Sequence, residues 1–310
     1  MNTTLLSKIN HDTQLLTPLP YTFISVQGSD AEKFLQGQLS CDLSLLNGQN
    51  LSFGTLNSPK GRMYGLFKIV VYKDGFLLRL ENSTAKLFLL TLNKYKVFFK
   101  CVISIEEQFS AFAYTADSKS EPNLPQNAKD KMSIGTNFIS RLSNNAPLYE
   151  IWSQELNEHK AEIGTDTESW FAMEAKLGIP ELYAETQDQF ILQYLNLQDL
   201  GAVSFKKGCY TGQEIVARMQ YLGKLKRHLY RGKVPAGQNI ELATAIFSEG
   251  HEGAVSQVVS VAYENDHAEI LLVLDKKYLQ TPLFLSETNG PQIELLSLPY
   301  EIEVEEPKEE

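Results

Sequence analysis

The densest chemistry in the chain lies in Phe205-Lys206-Lys207-Gly208-Cys209-Tyr210-Thr211-Gly212-Gln213-Glu214-Ile215-Val216-Ala217-Arg218. A cysteine beside two lysines and just ahead of a helix start is the setting that turns a thiol into a thiolate. The neighbouring cations and the positive end of the helix dipole both favour the charged form, which is the reactive nucleophile. Thr211-x-x-Glu214 reads as a capping box: the Thr hydroxyl accepts from the Glu214 N–H, and the Glu carboxylate accepts from the Thr211 N–H. Ile215, Val216, Met219 and Leu222 then form a helical apolar face, and Gly223 stops it. Gly208 and Gly212 permit close backbone approach or positive φ. The plainer reading is a small, inert, buried cysteine and a surface Glu214–Arg218 helix pair. Residue types and spacing leave both open.

The elements that must hold this stretch follow from periodicity. Tyr21 to Gln27 alternates like a half-buried strand, Gly28 ends it, and Ser29 or Asp30 caps a helix bearing Phe34, Leu35 and Leu39. Asn50 to Leu56 reads as a strand, followed by a turn at Asn57-Ser58-Pro59 and then Lys60-Gly61-Arg62. Met63 to Tyr72 and Phe76 to Glu81 form a hairpin across Lys73-Asp74-Gly75. A helix runs from Ser83 to Leu92, and Lys100 to Ile105 and Phe109 to Tyr114 read as strands. The β-α-β-β-α-β rhythm predicts a split α+β, ferredoxin-like unit. Ala116 to Lys131 reads as a solvated loop and Leu148 to Trp152 as a short strand. Ser153 opens a helix, and Thr167 to Leu177 forms another, closed by Gly178 and Pro180. Trp170 on that helix reads as core packing on its own. After Gly223, strand-like runs at Arg227–Val234, Ala254–Tyr263, Ala268–Leu274 and Gln292–Leu296 predict a small antiparallel barrel or sandwich. Glu301 to Glu310 is an acidic tail, expected to be disordered.

The totals exclude several function classes. The 310 residues suffice for a sizeable core and for two or three domains, with 43% hydrophobic and 21% charged residues. The net charge of −10 is the opposite of a general nucleic-acid coat protein. Any RNA contact must therefore be local, and Lys206 through Lys233 supplies eight Lys/Arg against one acid, Glu214. That stretch reads as an anion or weak RNA contact, or else as a solvated face. Three widely spaced cysteines without a C-x-x-C pair argue against a disulfide frame and a self-contained zinc or iron–sulfur site, so no metal is expected. Met1 to Pro20 lacks an export pattern, and no apolar run approaches a membrane span, so a cytoplasmic protein without membrane contact is expected.

Lys207-Gly-Cys-Tyr-Thr-Gly-Gln-Glu214, with Val216-Ala-Arg218, closely resembles the signature of the bacterial YgfZ-type folate-binding, tRNA-modifying proteins, relatives of the glycine-cleavage aminomethyltransferase. The likeness runs over most of the chain. Gly28-x-Asp30-x-x-x-Phe34-Leu-Gln-Gly-Gln38 is similar to the first-helix motif, and Lys60-Gly61-Arg62 to the next block. Gly178-Ile-Pro180, Phe190-Ile-x-Gln193, Asn196-Leu197 and Ser204-Phe205 precede the cysteine motif in the family's order. Gly223-Lys224 and Lys226-Arg227 follow it.

The resemblance implies an α+β protein of two ferredoxin-like modules and a C-terminal antiparallel β-barrel, set as a ring around a central folate-binding opening. Residues 1–225 would form the interleaved folate-binding region, 226–300 the barrel and 301–310 the tail. It implies tetrahydrofolate or a derivative as cofactor, flanked by Trp170 and by Tyr21, which stands where tryptophan is familiar. Gln213, Glu214 and Arg218 would join that site, with Tyr210 and Gln213 shaping the pocket. Cys209 would be the functional thiol, its pKa depressed by Lys207. The implied role is tRNA modification, the methylthiolation of adenosine, through maintenance or assembly of iron–sulfur tRNA-modifying enzymes as partners. Two other readings are carried: a folate-dependent one-carbon transferase, and a non-enzymatic RNA-binding module. In the aminomethyltransferase pattern two aspartates follow the 57–61 turn, and here Tyr64 and Gly65 stand in their places. The carboxylate that methylene transfer needs is missing there, which makes ordinary glycine cleavage a poor fit.

Overall fold

A computed structural model describes residues 16–115, 124–156, 167–223 and 225–302. The predicted helix following Ser153 beyond Leu156, residues 116–123 of the predicted 116–131 loop, Lys224 and all but two residues of the acidic tail lie outside the described residues.

The elements in chain order begin with β1 (Leu16–Leu19), β2 (Tyr21–Gln27), α1 (Ala31–Gln36), β3 (Ser52–Asn57), β4 (Met63–Tyr72), β5 (Gly75–Glu81), α2 (Ala85–Tyr95) and β6 (Val102–Ile105). The first sheet has the order β3-β4-β5-β2-β6. Without β3 this is the split β-α-β-β-α-β arrangement, with the last strand beside the first. Helices α1 and α2 cover one face, where Phe34, Leu35, Phe88 and Leu92 pack on Ile24, Val26, Ile69 and Leu78.

The second sheet has the order β1-β7-β10-β9-β8, built from β7 (Ser110–Thr115), β8 (Lys131–Ile134), β9 (Asn137–Arg141) and β10 (Leu148–Ser153) with β1 at its edge. The Phe109–Tyr114 run is therefore a strand, but not the one that completes the first module: it pairs Ala111–Tyr114 with Leu16–Leu19 and runs antiparallel to β10. Periodicity identifies a strand and is silent about its partner. β1 escaped the sequence reading because it is short and carries Pro18, which is tolerated only where a ladder donor is not needed, as on this edge.

α3 (Glu168–Lys176) follows, capped at its end by Gly178 with φ 65°. After α4 (Gln213–Tyr221), six strands close a barrel in the order β11-β14-β13-β12-β15-β16: β11 (Arg227–Pro235), β12 (Ala245–Ser248), β13 (Ser256–Tyr263), β14 (His267–Asp275), β15 (Leu283–Leu285) and β16 (Gln292–Leu296). The sequence indicated four of these; β12 and β15 are too short for a periodic signal.

Several strands are apolar on both faces because each face serves a different core. In β14, Ile270, Leu272 and Leu274 fill the barrel, while Leu271 and Val273 point into a core shared with both sheets. In β2, Ile24 and Val26 face the helices, while Tyr21 and Phe23 face the shared core. β2 is thus buried on both sides, not half-buried as its alternation suggested. Trp152, Trp170 and Val216 belong to the shared core, so the two sheets and the barrel are joined by one apolar interior rather than by surface contacts.

Candidate functional site

The cysteine stretch is a loop wedged between the first module and α4. The predicted capping box does not form. Gly212 takes φ 84° at the N-cap, which delays the helix start to Gln213. Thr211 then lies outside the helix, its hydroxyl donating to Gln38 Oε1 at 3.2 Å and its N–H to Gly37 O at 3.3 Å. Gln213 Oε1 accepts instead from the Tyr210 N–H at 3.2 Å. Glu214 and Arg218 are exposed on α4, and no ion pair joins them.

Three blocks far apart in sequence meet here. Ser204 N donates to Ser40 O at 3.0 Å, and Ser40 Oγ to Ala202 O at 2.6 Å, which lays the 202–207 segment along residues 37–41. The Lys60-Gly61-Arg62 turn packs against Gly212 and Ile215. Lys207 is buried and donates to Leu39 O at 2.8 Å and Cys41 O at 2.7 Å. The expectation that Lys207 serves the Cys209 sulfur is corrected: its ammonium is held by carbonyls of the first module, and burial lowers its pKa to about 8. These two bonds tie the segment before Cys209 to residues 39–41. Cys209 itself is exposed, the two other cysteines are buried, and a Cβ on Gly208 would meet nothing within 4 Å. Tyr210 is buried with its hydroxyl unpaired and its ring 5.4 Å from Lys207 Nζ. Burial pushes the Tyr210 hydroxyl pKa up.

A second constellation lies between the two sheets and α3. Lys68 on β4 and Arg79 on β5 are buried cations set in apolar strands, and both reach Glu150 on β10. The Arg79 guanidinium grips Glu150 with two hydrogen bonds of 2.9 Å and also reaches Glu181. Lys68 lies 3.4 Å from Glu174 on α3, and Trp152 Nε1 donates to Glu150 at 2.6 Å. Burial opposes ionisation of Glu150, but Arg79 and Lys68 outweigh it and hold its carboxyl far below the usual range. For Glu174 the balance reverses: burial outweighs the pull of Lys68 and Arg79 and raises its pKa to about 7. Trp170 precedes Glu174 by one helical turn and is 4% exposed, with its indole N–H unpaired.

Tyr21 belongs to the same constellation, but its ring is already covered: the Arg79 guanidinium stacks 3.5 Å from its centroid. Its hydroxyl is buried and unpaired. The flanking role expected of Tyr21 is thus corrected on one ring face, which a cation occupies. Phe53, Lys68, Arg79, Glu174 and Glu181 line a narrow cleft with about 190 Å³ of empty space and room at its centre for about one water molecule. Among the described residues no hydrogen bond or ion pair joins this constellation to Cys209, Lys207, Tyr210, Gln213, Glu214 or Arg218, although Tyr21 and Trp170 share the central core with Val216 of α4. Sequence reading missed Lys68, Arg79, Glu150, Glu174 and Glu181. The signal that marks them is a charge inside a run otherwise apolar, as in Leu66-Phe-Lys-Ile-Val70 and Phe76-Leu-Leu-Arg-Leu80.

The Lys206–Lys233 charge run is thinner in space than in sequence. Lys207 is engaged as above, Arg231 binds Glu269 through two bonds of 2.8 and 2.7 Å, and Lys233 pairs with Glu294 at 3.1 Å. Lys206, Arg218, Lys226 and Arg227 remain exposed. Glu264, His267 and Glu269 gather metal-type ligand atoms, but Lys176 and Arg231 already neutralise the two carboxylates.

No family model matches the chain. The tRNA-modifying protein YgfZ of Colwellia psychrerythraea is 33% identical over 230 residues, which cover 71% of each chain. The chain belongs to the YgfZ family. The tRNA-modifying protein YgfZ of Shigella boydii is 28% identical over 311 residues, covering 93% of this chain and 94% of that protein. The aminomethyltransferase T of the glycine cleavage system from Bartonella henselae has the same fold, with a TM-score of 0.70 over 92% of this chain and 85% of that one at 16% identity. The blocks that carry the YgfZ resemblance at Gly37–Gln38, Lys60–Arg62 and Ser204–Gln213 are the segments that interlock around the exposed Cys209. No helix among the described residues is long and apolar enough to cross a membrane.

Proposed function

We propose that the chain binds a reduced folate, tetrahydrofolate or a derivative, between its two sheets and supports tRNA modification with it. The observation that carries the reading is Glu174: a fully buried carboxyl with a pKa of about 7, one turn from an unpaired Trp170 N–H and lining a cleft with two cations. A carboxyl that exchanges a proton near neutrality can both accept from and donate to a heterocycle edge such as a pterin's. The unpaired Tyr21 hydroxyl adds a further buried group in want of a partner. The donor set fits a pterin; the cleft, at the size of one water, must open to admit it. When bound, the folate would supply a one-carbon unit or reducing equivalents.

The residues of the chain divide the task. Glu174 and Trp170 hold and orient the heterocycle, Arg79 and Lys68 balance the carboxylates beneath it, and the shared core excludes water. Cys209 offers an exposed thiol on a loop kept in place by Lys207, Gly212 and Tyr210. In this reading the thiol serves iron–sulfur tRNA-modifying enzymes, in support of adenosine methylthiolation. A direct aminomethyl transfer is disfavoured: a Cβ at Gly65 would lie 2.5 Å from Phe88 Cδ2, so no aspartate fits at that position.

The test is a titration with tetrahydrofolate followed by tryptophan fluorescence, comparing Trp170→Phe and Glu174→Ala with the unaltered chain. Saturable quenching that disappears in Trp170→Phe, with affinity lost in Glu174→Ala, is expected. Unchanged affinity in Glu174→Ala overturns the assignment.

A further inference from the structure

β6 is the outer strand of the first sheet. Among the described residues it pairs with β2 on one side and with no strand on the other. Two bonds show which of its backbone groups are taken. The Glu106 N–H donates to Phe23 O at 2.9 Å, and the Lys100 N–H donates to Asp30 Oδ2 at 2.8 Å. The even-numbered residues from 100 to 106 therefore turn toward β2 and its continuation. Facing alternates along an antiparallel ladder, so the N–H and C=O groups of Ile103 and Ile105 point outward.

Sheet edges are commonly blunted by a proline, a bulge or a charged side chain. β6 has none of these: it reads Val-Ile-Ser-Ile, and its register with β2 is unbroken. Val102 is 61% and Ile105 52% exposed, on opposite faces of the strand. Ile103 and Ile105 stand opposite Val26 and Ile24 of β2, on the face that packs against the helices. A charge stands just beyond each end. Lys100 is exposed, and the Glu106 carboxylate accepts from Ser25 Oγ and Gln108 Nε2. A strand with a cation before it and an anion after it is complementary to an antiparallel copy of itself.

We infer that β6 is a self-association edge, at which two copies of the chain pair antiparallel about a two-fold axis at Ile103. The outward groups belong to odd-numbered residues, so the new ladder bonds join odd to odd, beginning with Ile103 opposite the partner's Ile103. Val102 then lies opposite the partner's Ser104, and Lys100 opposite the partner's Glu106, once at each end. On the helix face Ile103 and Ile105 of both copies form one β-branched row, while the opposite charges meet across the other face. A register two residues away, with Ser104 opposite itself, sets Lys100 against the partner's Gln108 and loses both charge pairs. The contact is isologous, as closed dimers require, and it joins the two five-stranded sheets into one continuous sheet. Four residues on each side make a short ladder, so the association is weak and depends on concentration.

Sedimentation velocity on the full chain tests this from about 5 to 500 µM, the range in which a small contact associates. About 0.15 M salt screens the repulsion between two copies of net charge −10. A reversible dimer that grows with concentration is expected. Ile103→Pro removes the central outward donor and spares the β2 ladder, because proline is tolerated where the N–H faces away from the sheet. It should leave the chain monomeric. Lys100→Glu and Glu106→Lys each set like charges against one another at both ends, and each should weaken the dimer at least about tenfold. Mixed in equal amounts, the two variants should associate again, since a mixed pair has one lysine opposite one glutamate at each end. Melting curves show whether each variant is folded, and the mixing result keeps the proposal testable if Ile103→Pro is not. An unaltered chain that stays monomeric at every concentration, a dimer that persists in folded Ile103→Pro, or a mixture that associates no better than either charge variant alone overturns the proposal.

Discussion

The backbones of Gly61 and Gly212 touch so closely that neither has room for a side chain. A Cβ on Gly212 would lie 3.1 Å from Gly61 Cα and 2.6 Å from Ser58 O, and one on Gly61 would lie 2.8 Å from Ile215 Cβ. Both residues have positive φ, 73° and 84°. This contact joins the turn after β3 to the start of α4 and so fixes where the Cys209 loop can lie.

Gly212→Ala should therefore destabilise the protein by about 1–3 kcal/mol from its left-handed φ alone, with the collision adding to that. Gly208→Ala, in open space, should stay within about 0.5 kcal/mol. Urea midpoints at constant slope measure both. Equal losses would show that the interlock does not hold the loop.

Arg79→Met should cost about 3–5 kcal/mol, because it leaves Glu150 and Glu181 as buried carboxylates without their shared cation. Lys233→Ala, which breaks the solvent-facing pair with Glu294, should cost about 0–1 kcal/mol. The same denaturation series compares them.

Two buried groups give the stability profile opposite slopes in acid. Burial raises Glu174 from 4.5 to about 7, so its proton is bound more tightly in the folded state. Its contribution is full below about pH 4.5 and is lost as pH rises towards 7. His228 is lowered from 6.5 to about 4, by burial and then by Lys276, and its contribution is lost as pH falls from 6.5 to 4. Glu174→Gln should remove the first slope, so that stability between about pH 4.5 and 7 rises more steeply with pH than in the unaltered chain. An unchanged profile would mean that Glu174 ionises normally in the fold.

Native alkylation should modify Cys209 alone. Cys41 is 1% exposed and burial pushes its pKa up to about 12, and Cys101 is 8% exposed with its pKa also raised by burial. Iodoacetamide labelling read by mass spectrometry should give one modified site in the folded chain and three in denaturant. In cells, Cys209→Ala as the sole copy should lower methylthiolated adenosine in tRNA, and a normal level would remove the thiol from the proposed role.

The residues by themselves determined a good deal. Local patterns placed β2, the β4–β5 hairpin, α2, α3 and β11 within a few residues, because periodic burial writes itself into each element. The cysteine signature and its collinear blocks marked the family. Tertiary structure alone decided which strands pair, since the run at 110–115 has the same alternation whichever sheet receives it. It decided that Lys207 binds the Leu39 and Cys41 carbonyls, and that Thr211 gives up its capping role once Gly212 turns left-handed. It also assembled Lys68, Arg79, Glu150, Glu174 and Glu181, whose charges are distant in sequence and gain meaning only where folding removes water between them. A carboxyl's pKa depends on what surrounds it in space, and that is the one quantity a linear pattern does not carry.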